Sequence, residues 1–316
     1  MKAISGPTPS WTGGSQRFCG TAPGLSAAET RVIGANVDFY RQIAAKYESC
    51  EGYLFAPFLQ RSLEDDLDKI ASYFVSLGQT PSCLECGAGT GRLTLKMCAR
   101  GWRVTVVDVS DDMLDLLREK ARTKGYTPTL IRGSIERFLA VANETYDLVA
   151  FSAVLHHLYS YSSVVERAIE QLRPGGIFYS NHDPIAPRSP LWSRGFDSFD
   201  IAVAKILFDP ADVLPGIGRR LRKLFSQNDS MFCRAVASAG DLAEFHAGTG
   251  VDDKQILKLL QTSGFSIVKH QRFATGRTAV VRFLNERLRL LESFKIIARR
   301  DCDLTTGTKL HINKDI

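Results

Sequence analysis

The residue types able to do chemistry gather around one short run. Residues 82–91 read Ser-Cys-Leu-Glu-Cys-Gly-Ala-Gly-Thr-Gly. An apolar stretch centred on Leu84 is followed by Gly87, Gly89 and Gly91 at alternate positions, and then by Leu93, Leu95 and Met97 in a helical pattern. Strand, glycine turn and helix in that order make a loop that receives a nucleotide. Glycine permits the tight turn and lets a ligand approach where a Cβ would collide. Further on, 103–107 reads as a second strand and ends in Asp108. A carboxylate at that strand tip can accept hydrogen bonds from two ribose hydroxyls. The spacing also selects the ligand. A dinucleotide site uses G-x-G-x-x-G, with a pyrophosphate on the helix N-terminus. Here the third glycine falls one residue early, and Glu85 sets a negative charge just before the turn. That charge opposes a pyrophosphate and suits a cation.

These residues need a frame to hold them. Strand patterns at 82–86, 103–107, 128–132, 147–152 and 177–181 alternate with helical stretches such as 111–124, for which Ser110 and Asp111 offer an N-cap. Strands alternating with helices imply a mostly parallel sheet covered on both faces. Before this core, Val37, Tyr40, Ile43 and Tyr47, then Leu63, Leu67, Ile70 and Phe74, follow helical spacing. After it, a helix at 252–263 precedes two strand patterns, 265–271 and 293–299, separated by a helical 279–291. The expected organisation is a mobile tail at 1–26, an N-terminal helical cover at 27–80, a core at 81–182, an inserted cap at 183–250, the rest of the core sheet at 251–302, and a tail at 303–316.

The run from Glu85 to Gly91, E-x-G-x-G-x-G, resembles motif I of the class I S-adenosylmethionine (SAM) dependent methyltransferases. That ligand carries a sulfonium and an ammonium and no phosphate. Four further segments fall in register: Val106-Val107-Asp108-Val109-Ser110, Gly133-Ser134-Ile135, Tyr146-Asp147-Leu148-Val149 leading to Val154-Leu155-His156-His157-Leu158, and Leu172-Arg173-Pro174-Gly175-Gly176. The resemblance implies an α/β fold: a seven-stranded, doubly wound, mostly parallel sheet with its last strand antiparallel, N-terminal helices over the cofactor, and a helical cap inserted after strand five. It implies SAM as cofactor. Gly87, Ala88 and Gly89 would border the methionine part, Glu85 the amino-acid end, and Asp108 the ribose. Val109, Met113, Ser134 and Ile135 would edge the adenine, with the Ser134 hydroxyl accepting from its amine where the family usually has an acid. Ser152 and Ala153 would lie under the methionyl moiety, and Tyr40 and Tyr47 would reach in from the cover. His156 and His157 sit just past strand four, where a histidine can take a proton near neutral pH. His157 is the first candidate base and His156 the second; His182, Asp183 and His246 are weaker candidates for the acceptor side. No metal site is expected.

Composition bounds the remaining choices. An apolar fraction of 44% suits a globular protein. No apolar run reaches the roughly 18 residues of a membrane helix, and no secretory leader pattern opens the chain. Seven scattered cysteines form no framework, which reads as reduced thiols in the cytoplasm. Nine Lys or Arg face two Glu between Lys269 and Arg300, a local net of +7 against +6 for the whole chain, so the remainder is near neutral. A second basic cluster is Arg219, Arg220, Arg222 and Lys223. The expected function is methyl transfer to an O, N or C atom of a small acceptor, with an anionic one included. The alternatives left open are an RNA or protein acceptor, and a non-catalytic SAM-binding protein; the oligomeric state is not legible.

Overall fold

A computed structural model describes residues 16–17, 24–50, 52–186, 242–243, 245–246, 249–275 and 279–302. Most of the cap expected over 183–250 lies outside the described residues, as do Arg219, Arg220, Arg222, Lys223 and most of both terminal segments.

Helix α1 (Ala27–Ile43) opens on a capping box. Ser26 Oγ accepts the Glu29 amide, and the Glu29 carboxylate accepts the Ser26 amide at 2.8 Å. A helical turn, Tyr47–Cys50, and then α2 (Pro57–Ser76) complete the N-terminal part. Proline at the first position of α2 costs no hydrogen bond there, and Leu59, Leu63, Leu67, Ile70 and Phe74 give it one buried face.

The core follows as β1 (Ser82–Cys86), α3 (Thr94–Ala99), β2 (Arg103–Asp108), α4 (Asp111–Thr123), β3 (Thr129–Arg132), α5 (Ile135–Val141), β4 (Tyr146–Ser152), α6 (Tyr161–Glu170) and β5 (Leu172–Pro184). Helix α7 (Asp253–Thr262), β6 (Phe265–Phe273), α8 (Ala279–Arg287) and β7 (Ser293–Arg300) close it. The strand order is 3-2-1-4-5-7-6. Strands β1 to β5 run parallel, and β7 is antiparallel to both β5 and β6. A two-residue edge strand, Gln16–Arg17, adds to β3. The fold class expected from the sequence is therefore the one observed. One boundary differs: β5 begins at Leu172, so the Leu-Arg-Pro-Gly-Gly segment expected to turn before it joins the strand, with an irregularity in the β4–β5 register.

Two apolar layers clothe the sheet. Phe138, Val149, Val165, Phe178 and Ile256 pack on one face; Leu63, Leu67, Met97, Leu117, Tyr179 and Ile297 pack on the other. Burying each large side chain contributes roughly 2 kcal/mol. Such layers fix the carboxyl ends of β1, β2, β4 and β5 along one edge, where open α/β sheets bind ligands.

Candidate active site

Along that edge a cavity of ≈ 900 Å³, counting its open mouth, lies between the sheet and the N-terminal helices. Its floor is the turn after β1. Gly87 and Gly91 are forced by packing: a Cβ on Gly87 would come within 2.0 Å of Val154 Cγ2, and one on Gly91 within 2.2 Å of Leu117 Cδ1. Gly89 differs. With φ +52, a Cβ there would meet only Tyr47 Cε1 at 4.0 Å, so the space above it is open among the described residues.

Asp108 forms the next wall. Its carboxylate accepts the Gly89 amide on Oδ2 and the Ser110 amide on Oδ1, each at 2.9 Å, and so ties the glycine turn to the start of α4. Burial pushes its pKa up, while the amides of Ser110, Gly89, Val109 and Ala88 pull it back. Glu85 is buried beneath the turn and accepts the Thr94 hydroxyl at 2.5 Å. Burial raises its pKa to about 8, against the Thr94 bond and the Arg92 charge, which lower it.

The roof comes from α1 and the turn after it. Tyr40 and Tyr47 meet edge to face at 6.0 Å. Tyr40 Oη lies 2.8 Å from His157 Nε2, and His157 Nδ1 lies 2.7 Å from the Ala243 carbonyl oxygen. A carbonyl can only accept, so Nδ1 carries the proton and Nε2 accepts from Tyr40 in the neutral ring. Glu48 latches the roof, accepting from the Thr90 hydroxyl at 3.0 Å and pairing with Lys120 of α4.

All the residues expected from sequence at a cofactor site line this one cavity: Tyr40, Tyr47, Glu85, Gly87, Ala88, Gly89, Asp108, Val109, Met113, Ser134, Ile135, Ser152 and Ala153. His157 also lines it. His156 does not line it; its Nδ1 faces Asp183 Oδ1 at 2.8 Å. His246 is placed apart too, with Nε2 3.3 Å from the Tyr159 carbonyl oxygen. The Ser134 hydroxyl lines the cavity and also caps α5 by accepting the Arg137 amide. The acid on that side is Glu136, two residues later, buried in the cavity wall with its pKa raised by desolvation.

Sequence reasoning missed Glu136 and Arg92. Arg92 lines the cavity and donates to Ser152 Oγ at 2.6 Å and to the Leu54 carbonyl at 3.4 Å. Its place directly after the third glycine is the mark it leaves in the sequence, and any helix-start cation leaves the same one. The cavity thus has an open glycine floor, a carboxylate at the tip of β2, a buried acid under the turn and a guanidinium opposite. These groups fit a zwitterionic, sulfonium-bearing nucleoside.

Residues 84–180 match the family described as methyltransferase domain. Over that stretch the chain is similar to a methyltransferase domain. S-adenosylmethionine is the methyl donor of that family. Among curated proteins, the tRNA 5-carboxymethoxyuridine methyltransferase of Escherichia coli strain K12 is 31% identical over 130 residues, 39% of this chain and 49% of that protein. The ubiquinone biosynthesis O-methyltransferase of Saccharophagus degradans is 27% identical over 168 residues, 51% of this chain and 68% of the relative. The chain thus spans about half the length of the first of these (49%). Among solved structures, a magnesium protoporphyrin IX methyltransferase from Synechocystis with bound SAM aligns with TM-score 0.48 at 16% identity, covering 88% of this chain and 100% of that one. Among the described residues no helix is long and apolar enough to cross a membrane.

Proposed function

We propose that this chain transfers the methyl group of S-adenosylmethionine to an oxygen or nitrogen of a small-molecule acceptor. The observation that carries the reading is the space above Gly89, walled by Asp108 and roofed by Tyr40 and Tyr47. Bound there, the cofactor supplies an electrophilic methyl on a sulfonium. The chain supplies position: Asp108 receives the ribose hydroxyls, Glu136 edges the adenine, and Arg92 and Glu85 face the carboxylate and ammonium of the methionyl end. Holding donor and acceptor at attack distance supplies most of the acceleration such a displacement needs. The roof, tied by Glu48 to Thr90 and Lys120, leaves a bounded mouth that suits a modest acceptor.

Calorimetric titration with S-adenosylhomocysteine tests the cofactor half. Wild type should bind, and Asp108→Ala should weaken binding about 30-fold, or about 2 kcal/mol, for the loss of a charge-assisted pair of hydrogen bonds. Equal affinity in the two would refute the site. A second acceptor class, RNA, is favoured by the likeness to the tRNA methyltransferase and by the basic stretch from Lys269 to Arg300. Formation of S-adenosylhomocysteine with bulk tRNA, and not with a low-mass metabolite fraction, would decide for it.

A further inference from the structure

Large apolar side chains stand exposed in one place more than elsewhere. Of the seven that do so among the described residues, four fall between 283 and 291: Phe283 at 54%, Leu284 at 38%, Leu288 at 60% and Leu291 at 40%. A single exposed leucine is ordinary, whereas a group of them marks an interaction surface. Helical spacing puts them on one side. At about 100° per residue, Phe283, Leu284, Arg287 and Leu288 fall within about 140° of arc around the axis of α8. The Leu288 amide still donates to the Leu284 carbonyl, at 2.9 Å, so the last of these keeps the helical register. Asn285 falls on the other side. It is buried and donates to the Thr275 carbonyl at 3.2 Å, so that face is the one held to the fold.

Arginines border this face. Arg287 lies over the Phe283 ring, 5.3 Å from its centroid, and Arg282 over the Phe58 ring of α2 at 3.7 Å. Arg289 follows in the turn after the helix, at a φ of +54. The acid of the helix is Glu286, 3.8 Å from Arg282, and Glu292 beyond it accepts the Thr275 hydroxyl at 2.6 Å. From 282 to 291 three Arg stand against one Glu, a net of +2. Leucine and phenylalanine set between arginines suit the boundary of a bilayer. The apolar groups enter the acyl layer while guanidinium heads stay at the phosphates, with their stems along the apolar surface. A nucleic acid is matched less well, because leucines give bases no ring to stack on. Among the described residues no helix is long and apolar enough to cross a membrane, so the contact is one of lying on the surface.

We propose that α8 and the turn after it dock this chain on an anionic lipid bilayer, with Phe283, Leu284 and Leu288 in the acyl boundary and Arg287 and Arg289 at the headgroup phosphates. The surface is separate from the chemistry, since none of these residues lines the cavity. It is also close to it. Phe58, beneath Arg282, stands in the first turn of α2, three residues after Phe55 of the cavity wall. A short helix with a few basic side chains gives attachment that is reversible and sensitive to salt. Attachment of this kind holds whatever group the chain transfers.

Co-sedimentation of the full chain with lipid vesicles is the test. Vesicles of equal parts phosphatidylcholine and phosphatidylglycerol should carry the wild type down, and binding should be about tenfold weaker on pure phosphatidylcholine and should fall as salt rises. On the mixed vesicles, Leu288→Ser should bind about tenfold more weakly and Arg287→Gln about fivefold. Leu288→Trp should bind at least as tightly as wild type, because tryptophan favours the bilayer interface. Both positions are exposed, so melting temperatures should stay within about 2 °C of wild type. Wild type that stays in the supernatant, or Leu288→Ser and Leu288→Trp that sediment alike, would overturn the proposal. Equal binding to the two kinds of vesicle would overturn it as well, since the arginines would then have no part. So would a wild-type dimer, seen without vesicles and lost in Leu288→Ser, because a second copy of the chain would then be the occupant.

Discussion

At the glycine turn, both oxygens of Asp108 accept backbone amides, Ser134 and Ser110 cap helices, and each glycine is set by a contact or by a space. At the end of β5, a few residues across the sheet, His182 is strained and both its nitrogens are orphaned. The first region is complete without its ligand. In the second, Asn181 Oδ1, Asp183 Oδ2 and both His182 ring nitrogens have no partner among the described residues. A nucleoside common to a whole family can be met by backbone and glycine. An acceptor peculiar to one enzyme must be met by side chains, and their desolvation is offset only when it arrives.

The comparison is most sharply broken at the glycines. In Gly87→Ala the new Cβ enters Val154 and the residue keeps a φ of +74, so destabilisation of about 3 kcal/mol is expected. Gly89→Ala meets open space and should lose only about 1 kcal/mol of stability, for its φ of +52, while losing cofactor affinity about tenfold. Thermal melts and calorimetry on the two variants read this difference. If both melt alike, packing is not what fixes Gly87.

Asp66 supports the far end. It is fully buried on α2, takes Lys269 on Oδ1 at 2.6 Å and Lys295 on Oδ2 at 2.8 Å, and meets the Tyr179 hydroxyl at 3.3 Å. Tyr179 in turn accepts from Asn181, next to His182. One carboxylate thus serves two ammonium groups, leaving excess positive charge near β5. Asp66→Ala should cost about 3 kcal/mol, because Lys295 stays buried without its counter-charge. A denaturant midpoint equal to wild type would show that water already solvates Lys295.

What could be read from sequence follows the same division. The seven strands were legible because buried parallel strands are short apolar runs bounded by turns, and the site residues at the glycine end because a turn, an acid at a strand tip and a helix cap each leave a spacing. Arg92 was not legible, since a single arginine after a glycine turn looks like any helix-start cation. Glu136 was hidden because Ser134, at the position where the family keeps an acid, drew the role to itself. The status of His182 depends on a backbone dihedral and on the absence of partners, and neither leaves a mark in the order of residues. The His156–His157 pair marked the right strand end, but only the fold separates the ring that faces Asp183 from the ring beneath Tyr40.

Glu85 is a buried acid at the glycine end whose pKa burial raises, and it gives a pH signature. Its folded pKa is about 8 against 4.5 in the open chain. Between those values the native state holds a proton that the unfolded state has lost. Stability of the cofactor-free protein should therefore fall as pH rises from 4.5 towards 8, by at most about 1.4 kcal/mol per pH unit from this group. Glu85→Gln should flatten the slope. The cationic end of the cofactor favours the carboxylate, so binding near neutral pH should release a proton, measurable as a buffer-dependent enthalpy. Enthalpies identical in buffers of different ionisation heat would show that Glu85 does not face the ammonium.

The smallest expected effect concerns His157. Tyr40→Phe removes one hydrogen bond to His157 and frees its Nε2, at a cost of about 1 kcal/mol or less in stability. If the acceptor's proton does not go to His157, the pH dependence of turnover is unchanged in this variant, because the group that titrates in the rate is untouched. If it goes to His157, unmasking Nε2 shifts the profile, since the Tyr40 hydroxyl no longer competes for the lone pair. A pH–rate series on Tyr40→Phe beside wild type therefore tests His157 as base without knowledge of the acceptor, and a profile that stays in place removes it from that role.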